Sequence, residues 1–129
     1  MQAHLRQIER YSLNCPILLS SLDKDASSTS QLSLTKNLSA KGAYVSGTAQ
    51  WSKRSELLAS VYYEISLFAR QQVESRFLIR FVAHPVRCDE GGFALEFSAT
   101  DMILPLSMTC AMTPQEAEVA ANIDFFWRL

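Results

Sequence analysis

Apolar residues recur at every second position in several short segments of this chain, and this alternation is the feature that most restricts its fold. Successive side chains of a β-strand point to opposite faces, so such a segment is predicted to be a half-buried strand. The alternating positions are Leu13, Cys15, Ile17 and Leu19 in one segment, Val61, Tyr63, Ile65 and Leu67 in a second, and Phe77, Ile79 and Phe81 in a third. The predicted fold is therefore mainly β.

Shorter segments and turn signals complete the predicted sheet. Residues 31–36, 43–48 and 93–97 are further strand candidates, and Asp89-Glu90-Gly91-Gly92 is a turn sequence between two of the strands. The serine-rich stretch 20–33 predicts a long connection between strands. Six strand segments joined by such connections favour a small antiparallel barrel.

The pattern changes near the end of the chain, where a helix is predicted over 113–128. Thr113, Pro114 and Glu116 provide an N-cap, a proline at the first helical position and a glutamate at the third. Val119, Ile123 and Phe126 then recur at helical spacing, so one face of this helix should pack on the sheet.

Length and composition indicate a single domain over 1–129. Hydrophobic residues make up 48% of the 129, which supports one packed core. The net charge of −1 gives no broad basic surface for nucleic acid or an anionic membrane. The apolar stretch 102–112 is interrupted by Pro105, and no segment is long enough to span a bilayer, so we expect no membrane insertion.

No catalytic motif is visible, and an enzyme is not predicted. His4 and His84 are the two histidines, and neither lies in a metal-binding or nucleophile motif. The three cysteines, Cys15, Cys88 and Cys110, are widely spaced, and we expect reduced, mostly buried thiols of a cytoplasmic protein. Neither a metal nor a cofactor is expected.

Two short motifs allow both a structural and a functional interpretation. Arg6 and Arg10 share one side of either a helix or a strand and could clamp a phosphate or stack on a base, or they could belong to a solvated tail. In the stretch NLSAKG, Asn37, Ser39 and Gly42 could read a purine edge. The same residues could instead form an ordinary turn in which glycine takes a positive φ.

Taken together and in this order, the motifs resemble those of the PilZ domain family. Arg6 and Arg10 form an RxxxR motif that leads into the first strand, and Asn37, Ser39 and Gly42 form an NxSxxG motif before another strand. The resemblance extends over roughly residues 5–98. It implies a six-stranded antiparallel PilZ-like barrel at 11–98, a flexible N-terminal arm at 1–10 and a C-terminal helix.

The resemblance also implies a function, since PilZ domains are bacterial receptors for the second messenger cyclic di-GMP. By similarity, Arg6 and Arg10 would contact guanine bases and phosphates as the arm closes. Asn37 and Ser39 would address a guanine from the barrel, and Gly42 would let the ligand approach the backbone. A downstream protein partner of unknown identity would read the closed state.

Three positions depart from the common family pattern. Asn37 stands where many members have aspartate, so it offers one acceptor in place of two. Ala94 stands where glycine is frequent, and its methyl group could crowd the pocket. Leu5 stands where many members carry a further arginine that favours a stacked pair of ligand molecules, and in this the chain resembles the members that hold one. The stoichiometry stays open between one and two molecules.

Two other functions remain as alternatives. A PilZ-like barrel with weak or lost nucleotide binding could dock a partner protein through residues 102–112 and the terminal aromatic residues Phe125, Phe126 and Trp127. Those residues could equally cover the open end of the barrel. A barrel for single-stranded nucleic acid is less consistent with the charge balance.

Overall fold

The computed structural model describes residues 14–22, 30–48, 50–68 and 72–124 of the chain. The strands are β1 (Pro16–Ser21), β2 (Ser30–Ser39), β3 (Gly42–Ser46), β4 (Leu57–Phe68), β5 (Gln72–Cys88) and β6 (Gly92–Pro105), followed by a 3-10 helix (Thr109–Ala111) and helix α1 (Pro114–Ala121). The predicted arm at 1–10 and positions 125–128 of the predicted helix lie outside the described residues.

The six strands close into a barrel in the order β1-β2-β3-β6-β5-β4, and every neighbouring pair is antiparallel. Strand β1 closes the barrel by pairing with β2 on one side and with β4 on the other, where Leu19 lies opposite Ala59. Closure gives each of the six strands a hydrogen-bonded neighbour on both sides along part of its length. The predicted fold class, a six-stranded antiparallel barrel with a C-terminal helix, is confirmed.

The barrel interior holds the alternating apolar side chains that the sequence predicts. Ile17, Leu19 and Val61 are fully buried, and Phe81 stacks on Phe97 with ring centroids 4.0 Å apart. The strand β2 also buries Thr35, whose hydroxyl accepts a hydrogen bond from the Cys15 amide at 3.0 Å. That bond provides the partner that a buried hydroxyl requires.

Helix α1 packs on the outside of the barrel and buries a second apolar cluster. It begins with the predicted capping box: the Thr113 hydroxyl accepts from the Glu116 amide at 3.1 Å, and the Glu116 carboxylate accepts from the Thr113 amide at 2.8 Å. Val119 and Ile123 pack against outward-facing residues of β1, β4 and β5, namely Leu18, Tyr62 and Leu78. Among the described residues, no helix is long and apolar enough to cross a membrane.

A buried ion pair lies between helix α1 and the barrel. Glu116 is 2% exposed, and its carboxylate binds the Arg80 guanidinium through two bonds of 2.5 and 2.8 Å. The Ser60 hydroxyl donates to the same carboxylate, and Asp101 lies 3.2 Å from Arg80 Nη1. Burial alone would raise the pKa of the Glu116 carboxyl, but the hydrogen bonds from its neighbours hold that pKa below its usual value.

The strands reach further than the sequence indicates. Because β2 continues to Ser39, Asn37 and Ser39 belong to a strand, and only Ala40 and Lys41 form the turn before β3. Strand β6 continues to Pro105, past the barrel end expected at residue 98. The apolar stretch 102–112 is therefore partly strand.

The expectation of mostly buried cysteines is wrong for two of the three. Cys15 is buried between strands, where desolvation raises the pKa of its thiol to about 11. Cys88 and Cys110 are free and exposed. The physical reason is position: Cys88 ends β5 at a hairpin, and Cys110 lies in the 3-10 helix, which buries none of its residues.

Candidate functional site

A β-bulge at Lys36 determines which way the NxSxxG residues point. Thr35 pairs with Val45, but Asn37 pairs with Tyr44, so Lys36 is an extra residue in β2. Strict alternation from the buried Thr35 would turn Asn37 and Ser39 inward; the extra residue reverses this. Leu38 is buried instead, and Asn37 and Ser39 lie on the outer surface.

A second bulge, at Val86, acts in the same way on β5. Pro85 pairs with Leu95 and is buried, whereas Arg87 pairs with Ala94 and is exposed. Val86 is the extra residue, and a bulge is one of the few places where proline fits in an inner strand. If Val86 instead took a regular paired position in the strand, Arg87 would point into the barrel.

The two bulges align four residues in one row across the barrel surface. Asn37 lies opposite Tyr44, Tyr44 opposite Ala94, and Ala94 opposite Arg87. An amide therefore stands at one end of the row, on β2, and a guanidinium at the other end, on β5. We call this set the first row.

A second row lies beside the first. Ser39 is opposite Gly42, Gly42 opposite Glu96, and Glu96 opposite His84. The middle of the two rows carries two small residues, Ala94 in one and Gly42 in the other. This leaves a depression between flanking polar side chains.

The depression is a cavity of about 430 Å³ on the outer surface. Its walls come from β2, β3, β5 and β6, and the lining residues are Asn37, Leu38, Ser39, Gly42, Ala43, Tyr44, Arg87, Ala94 and Leu95. The structure thus brings together the three barrel residues predicted for the site, Asn37, Ser39 and Gly42. The Ala94 methyl group forms part of the wall, and the cavity keeps its volume of about 430 Å³ with that methyl group present.

Gly42 is required by the sheet itself. A Cβ atom at this position would lie 2.2 Å from the Leu95 carbonyl oxygen, a distance at which the backbone would have to move. The interpretation that this glycine takes a positive φ is wrong, because among the described residues only Gly47 does so. The absence of a side chain lets β3 approach β6 closely.

Ser39 and Asn37 differ in how far the fold already uses their side chains. The Ser39 hydroxyl accepts a hydrogen bond from the Lys41 amide at 3.2 Å and so stabilises the turn. The side-chain amide of Asn37 is exposed and makes no hydrogen bond with any residue that the structure describes. Asn37 is therefore the freer of the two to meet a ligand.

Tyr44 is fixed at the rim of the cavity by two charged residues. Its hydroxyl donates to Asp89, whose carboxylate also accepts from the Gly91 and Gly92 amides at 2.9 and 3.0 Å. The hydrogen bond between Tyr44 and Asp89 lowers the pKa of the carboxyl and raises that of the phenol. On the same ring, Lys36 Nζ lies 5.6 Å from the centroid and donates to the Gly91 carbonyl at 3.2 Å.

Arg87 is the site residue that the sequence did not reveal. It makes no hydrogen bond or ion pair with any residue in the described part of the chain, although its charge contributes to the low pKa of Asp89. In the sequence, Arg87 continues a strand at a position that alternation assigns to the interior. Only the proline two residues earlier could have signalled a bulge.

The remaining predicted residues have different outcomes. Arg6 and Arg10 lie outside the described residues, so their role stays a prediction. His84 lies on the outer surface with Nε2 3.5 Å from Glu96 Oε1. Within the described ranges, no group of three or more histidine, cysteine or acidic residues could hold a metal ion.

Comparison of the chain with family models, curated proteins and solved structures finds no match.

Proposed function

We propose that this protein is a receptor for cyclic di-GMP, as its resemblance to PilZ domains implies. The observation that carries the proposal is the outer cavity, in which Asn37, Ser39 and Gly42 meet on one surface together with Arg87. These residues come from three strands, and the bulges in β2 and β5 turn Asn37, Ser39 and Arg87 outward. The receptor is not an enzyme, and it acts in the cytoplasm through a protein partner.

The chemistry of the cavity suits a ligand that carries both guanine and phosphate. The Asn37 amide offers an oxygen to guanine N–H groups and an N–H to guanine O6. The Arg87 guanidinium at the other end of the first row can bind phosphate through two parallel hydrogen bonds. Both side chains lack hydrogen-bonding partners among the described residues, so a ligand need not displace any.

The arm at 1–10 would close this surface. Arg6 and Arg10 would reach the bound ligand from the solvent side, with charge-assisted bonds to phosphate and stacking on guanine. Ordering the arm costs about 1–2 kcal/mol of backbone entropy per residue, so the new contacts must exceed that cost. Closure of the arm on the ligand would be the signal that a partner detects.

The decisive experiment is calorimetric titration of the full chain with cyclic di-GMP, with cyclic di-AMP, GTP and cyclic GMP as competitors. We expect selective binding of cyclic di-GMP by the wild type. Arg6→Ala and Arg10→Ala should each abolish or greatly weaken binding while leaving the melting temperature nearly unchanged. Arg54→Ala, at an exposed residue that does not line the cavity, is the matched control.

No heat and no thermal shift at saturating cyclic di-GMP would contradict the receptor proposal. It would favour the second candidate, a barrel that docks a partner protein. The observation in favour of docking is a group of exposed apolar side chains after the end of the barrel core. Ile103 is 61% exposed, and Met102 and Met108 are 39% and 46% exposed.

A further inference from the structure

A second cavity of about 410 Å³ adjoins the first. The two share Ser39, Gly42 and Leu95 as a common boundary. Beyond that boundary, the second cavity is lined by residues that the first does not touch, and these include Glu96 and Lys41. Because Gly42 has no side chain, no side-chain atoms at this position separate the two cavities.

Glu96 brings an almost unpartnered carboxylate to the second cavity. Its side chain is 61% exposed, and its one ion-pair contact among the described residues is His84 Nε2 at 3.5 Å. That distance is at the outer limit of a hydrogen bond, so both carboxylate oxygens can accept from a ligand. Two adjacent acceptors match a base edge that carries two adjacent N–H donors.

Lys41 adds a positive charge beside the second cavity, and the turn fixes the backbone that carries it. Its amide donates to the Ser39 hydroxyl at 3.2 Å, and its carbonyl accepts from the Phe97 amide at 2.8 Å. Both ends of the residue are thus fixed, and the ammonium group is left exposed. Apolar surface from Val86 and Phe97 completes the walls. A ligand that matches these walls would carry an edge of N–H donors, a flat apolar body and a nearby anionic group. A guanine nucleotide has all three.

We propose that the second cavity receives the second guanine of cyclic di-GMP and that Glu96 reads its Watson–Crick edge. This inference rests on the proposed function, since it assigns the second base of the same ligand. Guanine presents N1–H and N2–H side by side, and both donate to a carboxylate. Adenine presents an acceptor at N1 beside a donor at N6, so its N1 lone pair would face a Glu96 oxygen. Glu96 therefore supplies the two acceptors that Asn37 cannot.

The test is the substitution Glu96→Gln, measured by calorimetry with cyclic di-GMP and with cyclic di-AMP. Glutamine keeps the size of the side chain but offers one acceptor and one donor, so it can no longer accept from guanine N1–H and N2–H together, whereas it can pair with both N1 and N6 of adenine. We expect the affinity for cyclic di-GMP to fall about 10- to 100-fold. The affinity for cyclic di-AMP should stay equal or rise. Glu118→Gln, at an exposed position on α1, should behave as the wild type.

The ratio of the two affinities separates the possible results. An equal loss for both ligands, or an unchanged ratio in a variant with wild-type melting temperature, would overturn the assignment of Glu96 and leave the receptor proposal standing. Failure of the wild type to bind cyclic di-GMP would overturn both. Loss of guanine preference in Glu96→Gln alone would support the assignment.

Discussion

The barrel has two contrasting outer surfaces, and strand β5 contributes an arginine to each. The covered surface, formed by Leu18, Ser60, Tyr62, Leu78 and Arg80, lies under helix α1. The open surface consists of the two rows that hold Asn37, Ser39 and Glu96. Arg80 on the covered surface binds Glu116 and Asp101, whereas Arg87 on the open surface binds no residue that is described.

The difference between Arg80 and Arg87 shows that the surroundings of a charged side chain indicate whether it stabilises the fold or is available to bind a ligand. A buried charge is tolerated only where the fold supplies its partners, and Arg80 has them. An exposed arginine in a concave site keeps its hydration and can exchange it for a ligand. We therefore expect substitutions on the covered surface to change stability and those on the open surface to change binding.

The largest effect should come from Glu116→Ala. This substitution leaves the buried Arg80 guanidinium with Asp101 as its remaining acidic neighbour among the described residues and removes the capping box of α1. Breaking a buried pair in this way costs about 3–5 kcal/mol of unfolding free energy. The melting temperature, followed by circular dichroism, should fall by at least about 10 °C.

Two controls make this result interpretable. Glu118→Ala, at an exposed position on the same helix, should leave the melting temperature nearly unchanged. The double variant Arg80→Met, Glu116→Leu should recover much of the lost stability, because it removes both buried charges together. A stable single variant would show that the ion pair does not hold the helix, and the contrast between the two surfaces would fail.

Arg87→Ala should lower the affinity for the ligand and leave the stability of the fold unchanged, the opposite of Glu116→Ala. A charge-assisted hydrogen bond contributes about 1.5–3 kcal/mol, so the affinity for cyclic di-GMP should fall about 10- to 100-fold. The melting temperature without ligand should not change, because this guanidinium has no hydrogen-bonded partner in the described part of the fold. Calorimetry and a thermal melt on one preparation measure both. A destabilised variant with normal affinity would assign Arg87 to the fold.

Gly42→Ala should affect both properties by a smaller amount, because Gly42 belongs to the sheet and to the boundary between the cavities. The added methyl group would meet the Leu95 carbonyl oxygen, and such overpacking costs about 1–3 kcal/mol. Gly91→Ala is the matched control, since a Cβ there would have its nearest neighbours at 3.5 Å. Equal denaturant midpoints for the two variants would show that β3 can move away from β6 freely.

The sequence predicted the barrel well and the site only in part. Alternation identified the interior, as Ile17, Leu19 and Val61 show, and the Thr113 capping box located the start of the helix. Alternation could not reveal a bulge, because a bulge changes which residue pairs with which across two strands, and the pattern of apolar residues in one strand does not record that pairing. For that reason Arg87 was missed. The pairing of Arg80 with Glu116 was equally invisible, since it joins positions that only the tertiary fold brings together.

The bulges at Lys36 and Val86 also determine which changes of chain length this surface could tolerate in evolution. Deletion of Lys36 would make Thr35 and Asn37 neighbours in a regular strand, still opposite Val45 and Tyr44, and would leave Asn37 and Ser39 on the outer face. Deletion of Val86 would likewise leave Arg87 on the outer face, opposite Ala94. A gap of one residue at either bulge therefore preserves both rows, whereas a gap inside NxSxxG changes the spacing of the motif itself. In a related chain, the position of a gap is thus more informative than its presence.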